Sequence, residues 1–231
     1  MEQTMYDNLL QLPLFQGLSK GDLTTIIEKV KLHFLTYKKG QKIATQGESC
    51  QQLTFLLGGE ITISTADEEH GYILSENIHA PYIIEPYSLF GMHPNFSATY
   101  YTKSEAQILT IDKSYILGEL DNYQIFKLNY LNLLSNRCQI LQQKIWDGHT
   151  NGIVEKKFFN FLQLRCQKPY GEKTLKITME DLASLIDETR INVSRLLNEW
   201  QKQELLQLKR KEIYIPALEN IAEQIKNNHQ E

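Results

Sequence analysis

The stretch KITMEDLASLIDETRINVSRLLNEWQKQELLQLKRKEIYI, residues 176–215, decides the reading of this chain. Thr178 followed by Asp181 has the form of a capping box with Asp in the usual Glu position, and Leu182, Ala183, Leu185 and Ile186 supply the apolar positions of a short helix. A second helix follows directly after Asp187-Glu188. The Thr189 hydroxyl is placed to cap it, and Ile191, Val193, Leu196, Leu197 and Trp200 distribute apolar contacts along it. That pattern leaves Arg190, Asn192, Ser194 and Arg195 to face outward. Two helices joined by so tight a turn predict a helix-turn-helix. The next residues, LLQLKRKEIYI (205–215), read as two short strands around Lys209-Arg210-Lys211, a basic hairpin wing.

The side chains on the outward face suit DNA. A guanidinium can bond guanine O6 and N7 together, and small polar groups reach base edges or phosphates. Arg190 and Arg195 lie in the N-terminal half of the second helix, the part that enters the major groove in this motif, and a helix N-terminus favours a nearby phosphate. A lone pair of arginines on a surface helix would read as ordinary solvated charge. Cap, tight turn and basic wing together give Thr189, Arg190, Ile191, Asn192, Ser194, Arg195, Lys209, Arg210 and Lys211 a DNA-binding reading, with the wing resting on the backbone.

Upstream the periodicity changes twice. From His33 to Asp112, runs of β-branched and aromatic residues at 33–37, 41–45, 53–57, 60–65, 71–76, 98–103 and 106–111 alternate with turn signals such as Lys39-Gly40, Gly58-Gly59 and Asp67–Gly71. Regular short strands of this kind suggest a barrel or sandwich, and the helical spacing of Leu23, Ile26, Ile27 and Val30 places a helix in front of it. After Asp112, Leu131, Leu134, Cys138, Leu141 and Ile145 follow in steps of three and four, the seam of a parallel dimer on a long helix. Phe126, Tyr130, Leu133 and Ile140 add a second apolar face. The alternative is a helix buried within a monomer, since the seam lasts only about two heptads. Trp146–Gly152, with two glycines, ends the helix in a hinge, and 154–167 turns helical again with Phe158, Phe161 and Leu162 on its faces.

Composition limits the partners. The formal net charge of −4 excludes a binder held to nucleic acid by bulk charge, so any DNA contact has to be local. Residues 1–150 carry 11 Lys+Arg against 16 Asp+Glu, and residues 151–231 carry 13 against 12. The five arginines begin only at position 137. Cys50, Cys138 and Cys166 lack the short paired spacings of a zinc or iron–sulfur site and read as buried free thiols of a reducing cytoplasm. With neither an export leader nor 18 consecutive apolar residues, a cytoplasmic protein without a membrane span is expected.

Over nearly its whole length the chain resembles the Crp/Fnr superfamily of bacterial transcription regulators. The resemblance lies in LFQGLSKGDL (14–23), YKKGQKIATQGE (37–48), LTFLLGGEITI (53–63), the long helix, and ITMEDLASLIDETRINVSRLLNEW (177–200). It implies an α+β fold of three parts. An antiparallel, jelly-roll-type β-roll sensor domain occupies 1–112, a long dimerisation helix 113–147, and a winged helix-turn-helix DNA-binding domain 148–231. It also implies a homodimer on two-fold-symmetric double-stranded DNA, and RNA polymerase as a partner if the protein activates. Where Ile191 stands the family often has Glu. A carboxylate there would accept a hydrogen bond from cytosine N4, so an apolar side chain changes the preferred base and can favour a thymine methyl.

Members that bind a cyclic nucleotide carry a Gly-Glu pair for the ribose and an Arg-Ser/Thr pair for the cyclic phosphate. In SLFGMHPNFSATYYTKSEAQIL (88–109), Gly91 is kept, Met92 occupies the Glu position and Phe96 stands before Ser97-Ala98 where the Arg would be. Lysine lacks the planar fork. Weak or no binding of cyclic AMP is therefore expected. Phe90, Gly91, Met92, Phe96, Ser97, Ala98 and Tyr100 are the candidate lining of a pocket for another effector, a small apolar or anionic metabolite. No metal site is expected. Residues 1–49 hold no cysteine for an iron–sulfur cluster, and no spacing selects a haem ligand among His33, His70, His79, His93, His149 and Cys50. An enzyme is not expected either: Gly58-Gly59 lacks the Lys and Ser/Thr of a phosphate loop, and no nucleophile–base constellation appears. The remaining rival is a ligand-sensing or protein-interaction module that no longer binds DNA.

Overall fold

A computed structural model describes residues 9–148 and 153–227. The fold is α+β, and the chain divides into two units. The first takes in residues up to Thr62 and from Ile78 to Gln139; the second takes in Ile63–Asn77 and everything from Ile140 onward.

In the first unit residues 9–11 are helical, and helix α1 (Lys20–Lys29) is set by a full capping box: Ser19 Oγ accepts the Asp22 amide at 3.1 Å, and the Asp22 carboxylate accepts the Ser19 amide at 3.2 Å. Strands β1 (Leu32–Tyr37), β2 (Lys42–Ala44) and β3 (Gln52–Gly58) follow, then the start of β4 (Glu60–Asp67). After β5 (Tyr72–His79) come β6 (Tyr82–Ile84), β7 (Thr99–Thr102) and β8 (Ala106–Asp112). One sheet runs β1-β8-β3-β6, antiparallel throughout, with Leu32 opposite Ile111, Phe55 opposite Leu109 and Thr54 opposite Ile84. β2 pairs with β7 through Lys42–Tyr101 and Ala44–Tyr100. Gly59 turns the chain between β3 and β4 at φ 89°, where a Cβ would run into the Glu105 carbonyl oxygen. The core joins Leu23 and Ile26 of α1 to Phe55, Leu109 and Ile111, with the Phe15 ring 5.8 Å from Phe55 and 5.5 Å from Phe126.

The stretch expected as one helix over 113–147 is interrupted. Helix α2 (Lys113–Gly118) is short, a 3₁₀ turn covers Leu120–Asn122, and the long helix α3 runs Gln124–Gly148. Gly118 and the short polar pair Asp121-Asn122 cause the break, the Asn122 side-chain amide donating to the Gly118 carbonyl at 2.9 Å. On α3, Phe126 and Tyr130 are buried and Leu133 and Leu134 pack against the first core. Leu131, Leu141 and Ile145 are exposed, and so is Ile140, which was expected on the inward face. Cys50 and Cys166 are buried as expected, whereas Cys138, on the seam, is exposed. The hinge expected at 147–152 lies, from residue 149 on, outside the described residues.

The second unit contains α4 (Val154–Arg165), β9 (Lys173–Lys176), α5 (Met179–Leu185), α6 (Arg190–Lys202), β10 (Gln207–Lys209), β11 (Glu212–Ile215) and α7 (Leu218–Asn227). Strand β9 is held on both edges: it pairs with β11 through Leu175–Ile213 and with β5 through Leu74–Leu175 and Glu76–Lys173. Tyr72 and Leu74 of β5 are therefore core residues of this unit, with Phe158, Phe161, Leu162, Leu182, Val193, Leu197, Trp200 and Ile213. Among the described residues no helix is long and apolar enough to cross a membrane.

At one end of the β5–β9 pairing, where Glu76 stands opposite Lys173, lies a buried ion pair, Lys173 Nζ to Glu76 Oε2 at 3.0 Å, with side chains 1% and 4% exposed. Both charges take further hydrogen bonds. Glu76 accepts the Gln167 and Lys168 amides at 2.6 and 3.2 Å, and Lys173 donates to the Tyr170 carbonyl at 2.8 Å. Removing one partner strands the other charge in the core, so Lys173→Met is expected to lower the stability of this unit by about 3–5 kcal/mol. The double replacement Glu76→Met/Lys173→Met should recover much of that loss. Urea unfolding followed by tryptophan fluorescence reads this directly, because Trp200 is buried in the core of this unit.

Candidate nucleic-acid interface

Helix α5 begins where its sequence says it should. Thr178 Oγ1 accepts the Asp181 amide at 3.1 Å and donates to the Asp181 carboxylate at 2.6 Å. The turn after it closes through Glu188 N to the Ala183 carbonyl at 2.9 Å, with Asp187 left-handed at φ 51°, a conformation a short polar residue tolerates. Lys157 on α4 pins that turn from the side, donating to the Asp187 carbonyl at 2.8 Å and to Glu188 Oε1 at 2.9 Å. Glu188 Oε2 accepts from the Asn192 side chain at 3.2 Å. The hydrogen bonds from Lys157 and Asn192 hold the Glu188 carboxyl below its ordinary value.

Helix α6 starts on the Thr189 cap, whose hydroxyl accepts the Asn192 amide at 3.2 Å. Val193, Leu196, Leu197 and Trp200 are buried, the Trp200 ring meeting Phe158 edge-on at 5.8 Å. These four fix the rotation of the helix about its axis. The expectation for Ile191 as an apolar contact of this helix is corrected: it is 71% exposed, about 200° round the helix from Val193 and so on the side away from the buried stripe. It shares the open face with Arg190 and Arg195. Arg190 Nε meets Glu180 Oε1 at 3.0 Å, a surface pair with both side chains about two-thirds exposed, which a phosphate or a base can displace at small cost. Asn192 faces back to the turn, and Ser194 is bracketed by the Asn198 amide, which reaches its carbonyl at 2.7 Å and its hydroxyl at 3.2 Å.

Strands β10 and β11 form the expected wing, with Leu208 opposite Ile213. Arg210 and Lys211 make its turn, Lys211 at φ 57°, and Lys209, Arg210 and Lys211 are all exposed. Lys209 Nζ lies 3.2 Å from Glu212 Oε1. The acidic side chains Glu180, Glu188 and Glu212, which neutralise part of this surface in the free protein, were missed in the sequence. Two of them carry an ordinary local signal, since Glu188 and Asn192 are four apart and Lys209 and Glu212 three apart.

In the β-roll the seven residues expected to line one pocket do not converge. Met92 is 91% exposed, and Ala98 and Tyr100 are fully buried. Phe96 lines a cavity of about 230 Å³ with Leu35, Ile43, Thr54, Ile84 and Ile108, whereas Phe90 lines another of about 260 Å³ with Ile116, Phe126 and Tyr130. Ser97, Ala98 and Tyr100 instead surround a buried carboxylate that sequence reasoning missed, Glu85, 1% exposed. The signal available was one acidic residue inside the apolar run PYIIEPY (81–87). Burial, and after it the charge of Glu85, pushes the Cys50 thiol up to about 11, and the same two causes raise the Tyr100 phenol. Among the described residues no three His, Cys, Asp or Glu side chains form a group able to hold a metal ion.

Comparison with known proteins matches both parts. The family model of the Crp-like helix-turn-helix domain covers residues 158–223, and that of the cyclic nucleotide-binding domain covers residues 34–123. Among solved structures, the catabolite activator protein of Thermus thermophilus is 18% identical, with 92% of this chain and 97% of that one aligned at a TM-score of 0.52. The c-di-GMP-responsive global regulator CLP of Xanthomonas campestris is 14% identical, with 86% and 99% aligned at 0.50. These likenesses show the fold. No curated protein sequence matches the chain.

Because the Thr189 hydroxyl is the side-chain acceptor at the start of α6, Thr189→Ala is expected to cost about 1 kcal/mol and Thr189→Ser very little, measured by thermal or urea unfolding. Glu188 has a depressed carboxyl, so the stability it adds is present above the ordinary carboxylate range and fades as pH falls through the lowered value. Acid titration of wild type against Glu188→Gln should show the two curves converging on the acid side.

Proposed function

The chain belongs to the Crp/Fnr superfamily of transcription regulators, and we propose that it acts in the cytoplasm as a homodimer that reads a two-fold-symmetric DNA site with α6. The observation that carries this reading is the exposure of Arg190, Ile191 and Arg195 on α6, a helix held in place by four buried side chains, beside a basic wing. A helix so presented can put Arg190 and Arg195 onto guanine edges or phosphates and Ile191 against a thymine methyl, while Lys209, Arg210 and Lys211 rest on the backbone.

For the dimer, the exposed apolar residues Leu131, Leu141 and Ile145, with Cys138 between them, provide the seam, and Leu134 borders it. In this reading 1–112 is the sensor, 113–147 the dimerisation segment and 148–231 the DNA-binding domain. An input in the sensor other than cyclic AMP shifts the dimer between states that differ in the separation of the two recognition helices. Adjacent half-sites require that separation to be about 34–36 Å. RNA polymerase is the further partner if the regulator activates.

Selection of bound sequences from a random DNA pool at about physiological salt tests the DNA reading. The wild type should enrich a two-fold-symmetric motif, and Arg190→Ala/Arg195→Ala should lose it, each lost base contact costing about 1–3 kcal/mol. Substitution of Lys209 or Lys211 should weaken binding evenly across sequences and flatten the salt dependence by about one charge per residue. No enrichment by the wild type, with or without cell extract as a source of ligand, would favour a module that senses or binds without reading DNA. Leu131→Lys/Leu141→Lys should sediment as a monomer if α3 is the dimer seam. Calorimetry with cyclic AMP should show no sub-micromolar binding.

A further inference from the structure

Glu85 follows β6 and enters the 3₁₀ turn Pro86–Ser88 in a left-handed conformation, φ 37°, that an ordinary residue adopts only when its surroundings hold it there. The surroundings are five hydrogen bonds. Oε1 accepts from Ser97 Oγ at 2.8 Å, from the Ala98 amide at 3.0 Å and from the Tyr100 hydroxyl at 2.8 Å. Oε2 accepts from Ser88 Oγ at 2.6 Å and from the Ser97 amide at 2.8 Å. All five donors are neutral. The first arginine of the chain, Arg137, is engaged with the ring of Tyr87, 5.0 Å from its centroid.

Two consecutive main-chain amides and three hydroxyls aimed at one point form a concavity for an anion, working through partial charges rather than through a cation. An ionised carboxylate, which only accepts, satisfies such a set; a group with its own hydrogens does not. The donors are at the rim as well as inside, since Ser97 is exposed while Ser88 and Tyr100 are buried. An anion from solvent would approach from the Ser97 side; Glu85 reaches the same donors from within. The residues therefore do not fit a cyclic nucleotide, for its phosphate would find the amides of Ser97 and Ala98 already bonded.

We propose that Glu85 is a built-in anion that fills the anion-binding loop of the β-roll, so that no free phosphate-bearing ligand binds there until Glu85 is removed. The loop from 85 to 98 is thereby tied to β7 without any effector, and an effector of this protein has to act elsewhere, as a ligand in the cavity beside Phe96 would. The inference concerns the roll alone and does not depend on DNA reading.

Glu85→Ala and Glu85→Gly test it, the glycine version also relieving the left-handed backbone. Each is melted in buffer free of phosphate and sulfate and titrated with inorganic phosphate, chloride being adjusted to hold ionic strength constant. The expected result is a lowered Tm in both variants, raised again by phosphate in a saturable way, with no saturable response in the wild type. A folded variant that ignores phosphate overturns the proposal, as does saturable stabilisation of the wild type. If neither variant folds, nuclear magnetic resonance of the wild type decides: the amide signals of Ser97 and Ala98 should stay in place on addition of phosphate or cyclic AMP, and saturable movement of either would refute the built-in anion.

Discussion

The rotation of α6 about its own axis is the constraint on which the functional surface depends. Val193, Leu196, Leu197 and Trp200 repeat at helical spacing, and burying each contributes about 1.5–3 kcal/mol relative to exposure. A turn of the helix by one residue, about 100°, would bring Arg195 and Glu199, or in the other direction Ser194, Asn198 and Gln201, into that core. So the core, not the charges, aims Arg190, Ile191 and Arg195 outward. The Thr189 cap and the Lys157–Glu188–Asn192 cluster then set where the helix begins. A net charge of −4 is compatible with this surface because its cations are placed by packing, and the carboxylates beside them, Glu180 and Glu212, are exposed or partly exposed and readily exchanged.

Much of this was legible because the signals are local. Seven of the eight roll strands show as runs bounded by turns, and the helix-turn-helix shows as two caps with apolar positions at the right spacing. What stayed hidden depends on partners far away in sequence. β9, four residues reading KTLK, has no periodicity to announce it and becomes a strand because β5 and β11 pair with its two edges. β6, three residues long, is fixed by β3 in the same way. The interruption before α3 was readable in principle from Gly118 and Asp121-Asn122, but the apolar period carried across it. α7 does have a regular stripe in Leu218, Ile221 and Ile225, but only these three large apolar residues mark it after the wing.

The same distinction separates the two candidate sites. DNA-reading residues belong to one helix and one hairpin, so their spacing could be followed residue by residue. The roll's polar centre is made by residues 12, 13 and 15 positions from Glu85, plus its neighbour Ser88. The missing arginine is visible position by position in the sequence. The carboxylate of opposite sign that lies against the same loop is not, because its place is a property of the folded turn at Pro86–Ser88.

The C-terminal unit is discontinuous: it borrows Ile63–Asn77 from the middle of the roll, and Tyr72 and Leu74 complete its core. During synthesis those residues leave the ribosome roughly 100 positions before β9, their sheet partner (Leu74 opposite Leu175). Until then, part of the hairpin offers an unpaired edge and two apolar side chains with nothing to cover them. The unit therefore has its own interior segment waiting as a template, and β9 reaches it only after that delay, before β11 arrives to cover the other edge of β9. A fragment cut after α3 would inherit β9 with one bare edge and a core short of a tyrosine and a leucine, so the piece that reads as a separable domain in sequence is not one in covalent terms.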